Sequence, residues 1–228
     1  MPCFLSGIAA AETFAAALDL PLYRFSHQDG HIMAAVYSSG ESEQLLRAPF
    51  AAFHVSGGTT EVLSVLPRES GFEITLVGET ADLNAGQAID RVGVMMGLSF
   101  PCGKGMERLC AEWSGELPQV KTCVKNCVCN LSGLQNLAER LWKESADPRL
   151  VSAYVFACVA KTLQKMTAQL DEKIPGLPIV YAGGVMSNRY LQSVLAKRAN
   201  TYFAEPAFSA DNAAGIALLC RDAYLNSK

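Results

Sequence analysis

Two of the chain's three histidines, His27 and His31, stand four residues apart in S-H-Q-D-G-H. Four residues is one helical turn, so both imidazoles face the same way if the segment is helical. Neutral imidazole is the commonest metal ligand, and two on one turn supply half a coordination shell. Gly30 would leave space beside the rings. The zinc-protease pattern H-E-x-x-H is not met, because Gln28 follows His27. Two readings stand for the pair: a metal clamp, or ordinary capping and packing at a helix start.

Other stretches could handle a ligand. Val55–Glu61 reads V-S-G-G-T-T-E, an apolar strand running into glycines and hydroxyls. Glycines let backbone N–H groups approach an anion and hydroxyls add donors, although S-G-G is also a common β-turn. Tyr181–Arg189 reads Y-A-G-G-V-M-S-N-R, a buried strand ending in Gly183 and Gly184 before a helix. Ligands of open α/β sheets gather outside such carboxyl ends. Asn188 either hydrogen-bonds a ligand or caps that helix. The spacing of the dinucleotide fingerprint is missing, so this motif indicates a nucleotide-like ligand and no more. Asp211, in S-A-D-N-A-A-G, is either an N-cap or an oxygen ligand for the histidine pair. Asp90, in A-G-Q-A-I-D-R, is either solvent-facing or suited to a ribose hydroxyl.

These residues need elements to position them. A 228-residue chain that is 50% apolar can bury a substantial core. A net charge of −3 with mixed signs gives no basic tail or stripe, so any nucleic acid must meet a local patch or a helper protein. Apolar stretches are broken well before the ~20 residues of a membrane span. No secretory leader is legible, and the expectation is a cytoplasmic protein with reduced thiols. Cys123, Cys127 and Cys129 match no standard metal spacing, and strand alternation would put all of them on one core-facing side.

Spacing predicts a helix over 5–18 stopped by Pro21, and a short strand at Leu22–Phe25. A helix N-capped by Ser26 should run to about Tyr37. Phe50–Val55 should be a strand, with a hairpin of Glu61–Leu66 and Phe72–Val77 after it. Helices follow over 84–97, with Ile89, Val92, Met95 and Met96 facing the core, and from Pro101 to Trp113. Val120–Cys129 reads as a strand, Gly133–Lys143 and Val151–Asp171 as helices, and Pro178–Tyr181 as a buried strand. Asn188–Asn200 reads as a helix, Thr201–Ala204 as a strand and Asp211–Leu225 as a closing helix. Interleaved strands and helices argue an α/β fold.

Taken in order, S-H-Q-D-G-H, H-V-S-G-G-T-T-E, G-E-T-A-D-L-N-A-G-Q-A-I-D-R-V-G-V-M-M-G-L-S-F-P-C-G, L-S-G-L-Q, A-G-G-V-M-S-N-R and S-A-D-N-A-A-G-I-A resemble the tRNA N6-adenosine threonylcarbamoyltransferases, the TsaD family, once labelled glycoproteases. The resemblance implies the actin-like, sugar-kinase and Hsp70 ATPase fold with RNase H-like lobes. It implies a metal, iron or zinc, on His27, His31 and Asp211. It implies that Val55, Ser56, Gly57, Gly58 and Thr59 hold the phosphate end of threonylcarbamoyl-adenylate, and that Asp90 binds its ribose. Gly103 would line the nucleoside pocket, Gly183 and Gly184 the nucleotide, and Asn188 the adenine. The implied reaction moves a threonylcarbamoyl group from the adenylate to N6 of adenosine in tRNA, with TsaB-like and TsaE-like partners and no membrane.

The sequence also departs from the family. Thr59 stands for a histidine in the glycine loop, Gln87 for a glutamate and Gln135 for a lysine. The family has a further stretch ahead of the position of Met1, carrying a D-T-S phosphate motif. The expected organisation is therefore a remnant of the first lobe at 1–49, a nucleotide-binding lobe at 50–208 and a closing helix at 209–228. A first lobe short of strands has an open edge, which a homodimer could cover. Two other functions compete with the transferase: a non-catalytic, nucleotide-binding scaffold subunit, and, ranked last, a metallopeptidase.

Overall fold

The run F-A-A-F-H-V has no charged residue and alternates its sides cleanly. It forms the central strand β1 (Phe50–Val55), whose residues are all buried except the half-buried His54. In this computed structural model, which describes residues 2–209 and 212–227, β1 is flanked antiparallel by β2 (Thr60–Pro67), and β2 in turn by β3 (Phe72–Glu79). After the short hairpin β4 (Cys123–Lys125) and β5 (Val128–Asn130), the chain returns as β6 (Ile179–Ala182), parallel to β1, and β7 (Thr201–Phe203), parallel to β6. The sheet order is β3-β2-β1-β6-β7. The expected α/β class is what is found.

The helices are α1 (Pro2–Ala17), α2 (His27–Ser38), the single turn α3 (Ser42–Leu45), α4 (Ala85–Met95) and α5 (Gly103–Ala111). They continue with α6 (Ser132–Ser145), α7 (Pro148–Lys173), α8 (Arg189–Leu195) and α9 (Ala214–Asn226). No described helix is long and apolar enough to cross a membrane. Alternation along β1 divides the core. Ala51, Phe53 and Val55 face Ile89 and Val92 of α4 and the apolar side of α7. Phe50 and Ala52 face Ile32, Ala35 and Val36 of α2. Across the parallel strands, Phe53 pairs with Tyr181 and Tyr181 with Phe203, their ring centroids 4.7 and 5.5 Å apart. This aromatic row contributes beyond its buried area. Burial pushes the Tyr181 hydroxyl well above the usual phenol range; it lies 2.6 Å from the Thr167 hydroxyl.

Several expectations are corrected. Leu22–Phe25 is not a strand, because no neighbouring strand takes up its backbone groups there. Val120–Cys129 is not one strand but most of the β4–β5 hairpin. Asn126 and Cys127 adopt left-handed φ values of 53° and 63°, the geometry of a two-residue hairpin turn. Folding back defeats the single alternation, so Cys127 and Cys129 are buried and Cys123 is exposed. Burial pushes the Cys129 thiol up to about 11, which suits a packed apolar group. Within the long helix α4, Ile89 and Val92 are buried as expected, whereas Met95 and Met96 pack only partly against the core. The helix after Asn188 stops at Leu195.

Two contacts position the parts that matter for function. The first joins α2 to α9. A Cβ on Gly215 would lie 1.9 Å from the Gly30 carbonyl oxygen, and one on Gly30 would lie 2.9 Å from Ile216 Cδ1. Gly30 therefore admits α9; it does not clear space for the histidine rings. The second is Asp82, at the entry to α4. Its carboxylate accepts from the Leu83, Leu131 and Ser132 amides at 2.6, 2.8 and 3.2 Å and from the Ser132 hydroxyl at 2.6 Å. Partial burial works to raise its pKa, but these bonds, led by the Ser132 hydroxyl, outweigh it and hold the carboxyl well below the usual range.

Replacing Gly215 by Ala should force α9 off α2 and cost about 1–3 kcal/mol, the usual range for overpacking. Gly133, with nothing within 4 Å of its notional Cβ, is the control. A melting temperature several degrees lower for Gly215→Ala and unchanged or raised for Gly133→Ala is the expected pair. Asp82→Asn should cost about 1–2 kcal/mol at neutral pH, since Asp82 is solvent-exposed and its bonds are screened. Its folded-state pKa is lowered, so the carboxylate's contribution is full above about 3.9, the unfolded value, and fades as pH falls below it. Urea denaturation should show wild type and Asp82→Asn converging at acid pH; a constant gap would refute the assignment.

Candidate functional site

Helix α2 starts with a capping box. The Ser26 hydroxyl accepts from the Asp29 amide at 3.0 Å, and Asp29 Oδ2 accepts from the Ser26 amide at 2.9 Å. Asp29 Oδ1 also accepts from the Phe72 amide at 3.1 Å, which ties the start of α2 to β3. On this anchored first turn the one-turn spacing of His27 and His31 becomes real proximity. Their Nε2 atoms are 3.0 Å apart and their rings meet edge to face. Both line a cleft of about 430 Å³ between α2 and the end of β1.

The third histidine, His54, opens the stretch H-V-S-G-G-T-T-E but was given no role there, yet it belongs to this cleft. His54 shares the α2-facing side of β1 with Phe50 and Ala52, and its ring centroid lies 5.3 Å from that of His31. Glu61 is its cross-strand partner, with a carboxylate oxygen 3.8 Å from His54 Nδ1. The available signal was a polar pair at opposed positions on an otherwise apolar hairpin. Ser56, Thr59 and Gly183 line the same cleft.

The loop after β1 is clasped from two sides. A Cβ on Gly183, at φ +99°, would lie 2.3 Å from the Val55 carbonyl oxygen, and one on Gly86 would lie 2.7 Å from Gly57 Cα. The Gly86 amide donates to the Ser56 carbonyl at 3.0 Å, and Asn84 Nδ2 donates to the Gly58 carbonyl at 2.8 Å. Inside the loop the Ser56 hydroxyl accepts from the Gly58 and Thr59 amides at 3.2 and 3.0 Å. Nothing lies within 4 Å of a notional Cβ on Gly57 or Gly58, so this face of the loop is open. Val55 itself is buried.

The remaining expected residues lie elsewhere. Asp90 Oδ1 accepts from the Cys102 amide at 2.7 Å, beside Gly103 at the start of α5, and Asp90 lines a second cleft. Asn188 is buried and caps α8, its Oδ1 accepting from the Leu191 amide at 2.9 Å. Glu107 of α5, another residue the motifs did not mark, accepts from the next amide, Arg189, at 2.7 Å. Gly184 begins a single 3-10 turn and is exposed. Asp211 lies outside the described residues.

This arrangement can hold a cation and an anion side by side. Two imidazole nitrogens bound to one divalent ion at about 2.0–2.1 Å lie about 3 Å apart when they subtend a right angle. The His27–His31 separation of 3.0 Å fits that requirement. Among the described residues no three His, Cys, Asp or Glu side chains are placed together to hold a metal.

The family model described as TsaD, tRNA N6-adenosine threonylcarbamoyltransferase, matches residues 1–218. Proteins of that name from Streptococcus pneumoniae (strain Taiwan19F-14) and Streptococcus sanguinis (strain SK36) are each 36% identical over 200 residues, covering 84% of this chain. The chain spans 57% of the length of these curated relatives. Among solved structures, full-length HypF in a phosphate- and nucleotide-bound form superposes with a TM-score of 0.67 at 14% identity, over 93% of this chain and 37% of HypF. HypF from T. kodakarensis gives 0.66 at 12% identity, over 96% and 39%. At such identities the likeness concerns the fold alone. The order of motifs, the cleft they build and the match across residues 1–218 agree: the chain belongs to the TsaD family.

Proposed function

We propose that this chain takes part in transferring a threonylcarbamoyl group from an adenylate to N6 of adenosine in tRNA. The single observation that carries the reading is the cleft of a TsaD-family chain in which His27 and His31 converge and which Ser56 and Thr59 also line. His27 and His31, with Asp211 as the expected oxygen ligand, would hold an iron or zinc ion. Such an ion supplies Lewis-acid polarisation of an oxygen next to the reacting carbon.

The chain's own residues do the positioning. The clasp by Gly86 and Gly183 keeps the loop rigid, and the open glycine face lets a phosphate approach the backbone. The Ser56 hydroxyl already takes the Gly58 and Thr59 amides, so the loop holds its shape without ligand. In the transfer, the N6 amine attacks the carbamoyl carbon, the carbon–oxygen bond to phosphate breaks, AMP departs and the amine loses a proton. Asp90 would take the ribose, near Gly103, and Asn188 would lie toward the adenine. TsaB-like and TsaE-like proteins and a cytoplasmic setting belong to this reading, and a homodimer would cover an open edge.

A scaffold role is the second reading. It is favoured by Thr59 replacing the loop histidine. A metallopeptidase fits least, since Gln28 occupies the place of the general base.

His27 is exposed at the first turn of its helix, so its removal should spare the fold. Elemental analysis of the purified chain should find about one metal ion, and His27→Ala should lose it with an unchanged far-ultraviolet spectrum. The loss should exceed the roughly 10–100-fold that removing a group which merely orients a ligand costs. Unchanged metal content in His27→Ala would remove the clamp and leave the scaffold reading.

A further inference from the structure

The chain carries 22 carboxylates in 228 residues, yet none stands between 117 and 138 and none between 148 and 170. The fold brings these two runs together. Val120, Thr122 and Val124 are half-buried while Lys121, Cys123 and Lys125 are exposed, so strand alternation extends from β4 into the segment before it and turns both lysines outward. Alongside, Lys161 and Lys165 stand one turn apart on the exposed side of α7. Lys161 Nζ donates to the Val120 carbonyl at 3.2 Å and Lys165 Nζ to the Thr122 carbonyl at 3.5 Å, which fastens the two rows side by side. A carbonyl directs an ammonium without neutralising it, and each ammonium keeps two more protons to donate. Among the described residues none of these four lysines has a carboxylate within 4.0 Å. Arg140 of α6 extends the cluster. With Lys121 it lines a cleft of about 260 Å³, where Glu144 lies 4.0 Å from it in an exposed pair that contributes little.

We propose that this face of α7 and β4 docks the phosphate backbone of a tRNA. The net charge of −3 repels a polyanion at long range, so binding needs a local field of the opposite sign, and this cluster supplies it. Its cations repeat at about 6 Å along the helix and about 7 Å along the strand. Two rows of regularly spaced charge suit a polymer that carries one charge per unit better than the irregular carboxylates of an acidic protein. Gln119 and Gln164 flank the cations and can hydrogen-bond phosphate or sugar oxygens. A lipid surface would call for large apolar side chains among the lysines instead. Phosphate contacts carry no sequence information, so this face holds and orients the RNA while the base chemistry happens elsewhere. Helix α6 links the two places, since its Gln135 lines the cleft of Asp90 and its Arg140 lines this one.

The choice of a tRNA rests on the transferase reading; the cluster of charge does not. The purified chain is titrated into a labelled, unmodified tRNA transcript by fluorescence anisotropy over a series of salt concentrations. The double variants Lys121→Gln with Lys125→Gln and Lys161→Gln with Lys165→Gln should each weaken binding by roughly fivefold or more and lower the salt slope by about 2. Arg47→Gln with Lys197→Gln removes the same charge elsewhere on the surface and should leave the slope nearly unchanged. Lys121 and Lys125 are exposed, so their variant should melt as wild type does even if the loss of the Lys161 and Lys165 bonds to the backbone costs stability. The transferase reading fails if His27→Ala keeps its metal, whereas the docking face fails if the lysine variants keep the wild-type slope, so the two failures are told apart. Wild-type slope and affinity in both lysine variants, no tRNA binding by the wild-type chain, or displacement of the tRNA by polyglutamate as readily as by unlabelled tRNA overturns the proposal.

Discussion

The structure depends on a close approach of backbone to backbone at the carboxyl end of β1. Gly183 lies against the Val55 carbonyl from one side, and Gly86 lies against Gly57 from the other. A side chain at either position would collide with main chain, which cannot swing away as a side-chain tip can. This clasp lets β6 run parallel to β1 up to its last turns and lets α4 begin directly over the loop. The glycine loop keeps one open face because its other contacts are taken up by its neighbours.

The histidine cleft follows from that arrangement and from a second close contact. The sheet offers one face to α2, and α9 clamps α2 from outside through Gly215 and Gly30. The capping box at Ser26 and Asp29 then sets the first turn of α2, so His27 and His31 reach the cleft together. His54 and Glu61 arrive independently, from the sheet, because alternation turns them toward the same helix. Helix and strand contribute to one site although each positions its residues by its own period.

Much of the fold was legible because its signals were local. Ser26 and Asp29 announced the helix start, the hydrophobic run 50–55 announced the central strand, and P-R-E-S-G announced the hairpin. The misreadings have a common cause. At Val120–Cys129 the alternation continued across a turn made by Asn126 and Cys127, whose one turn-forming residue, Asn126, is followed by no glycine. At Leu22–Phe25 the residues favoured a strand, but strand formation needs a partner edge. Gly30 was read through its neighbours in the sequence when its real neighbour is Ile216.

Residue types and their spacing determined the α/β class, the one-turn histidine pair, the glycine loop and the family, because each depends on the chain's own periodicity and order. Tertiary structure alone decided that His54 and Glu61 join the histidines and that Gln87 and Gln135 share a cleft with Phe100. Those outcomes depend on which faces of separate elements are pressed together. Side chains distant in the chain acquire a common environment only when the sheet closes against its helices, and no local pattern encodes that distance.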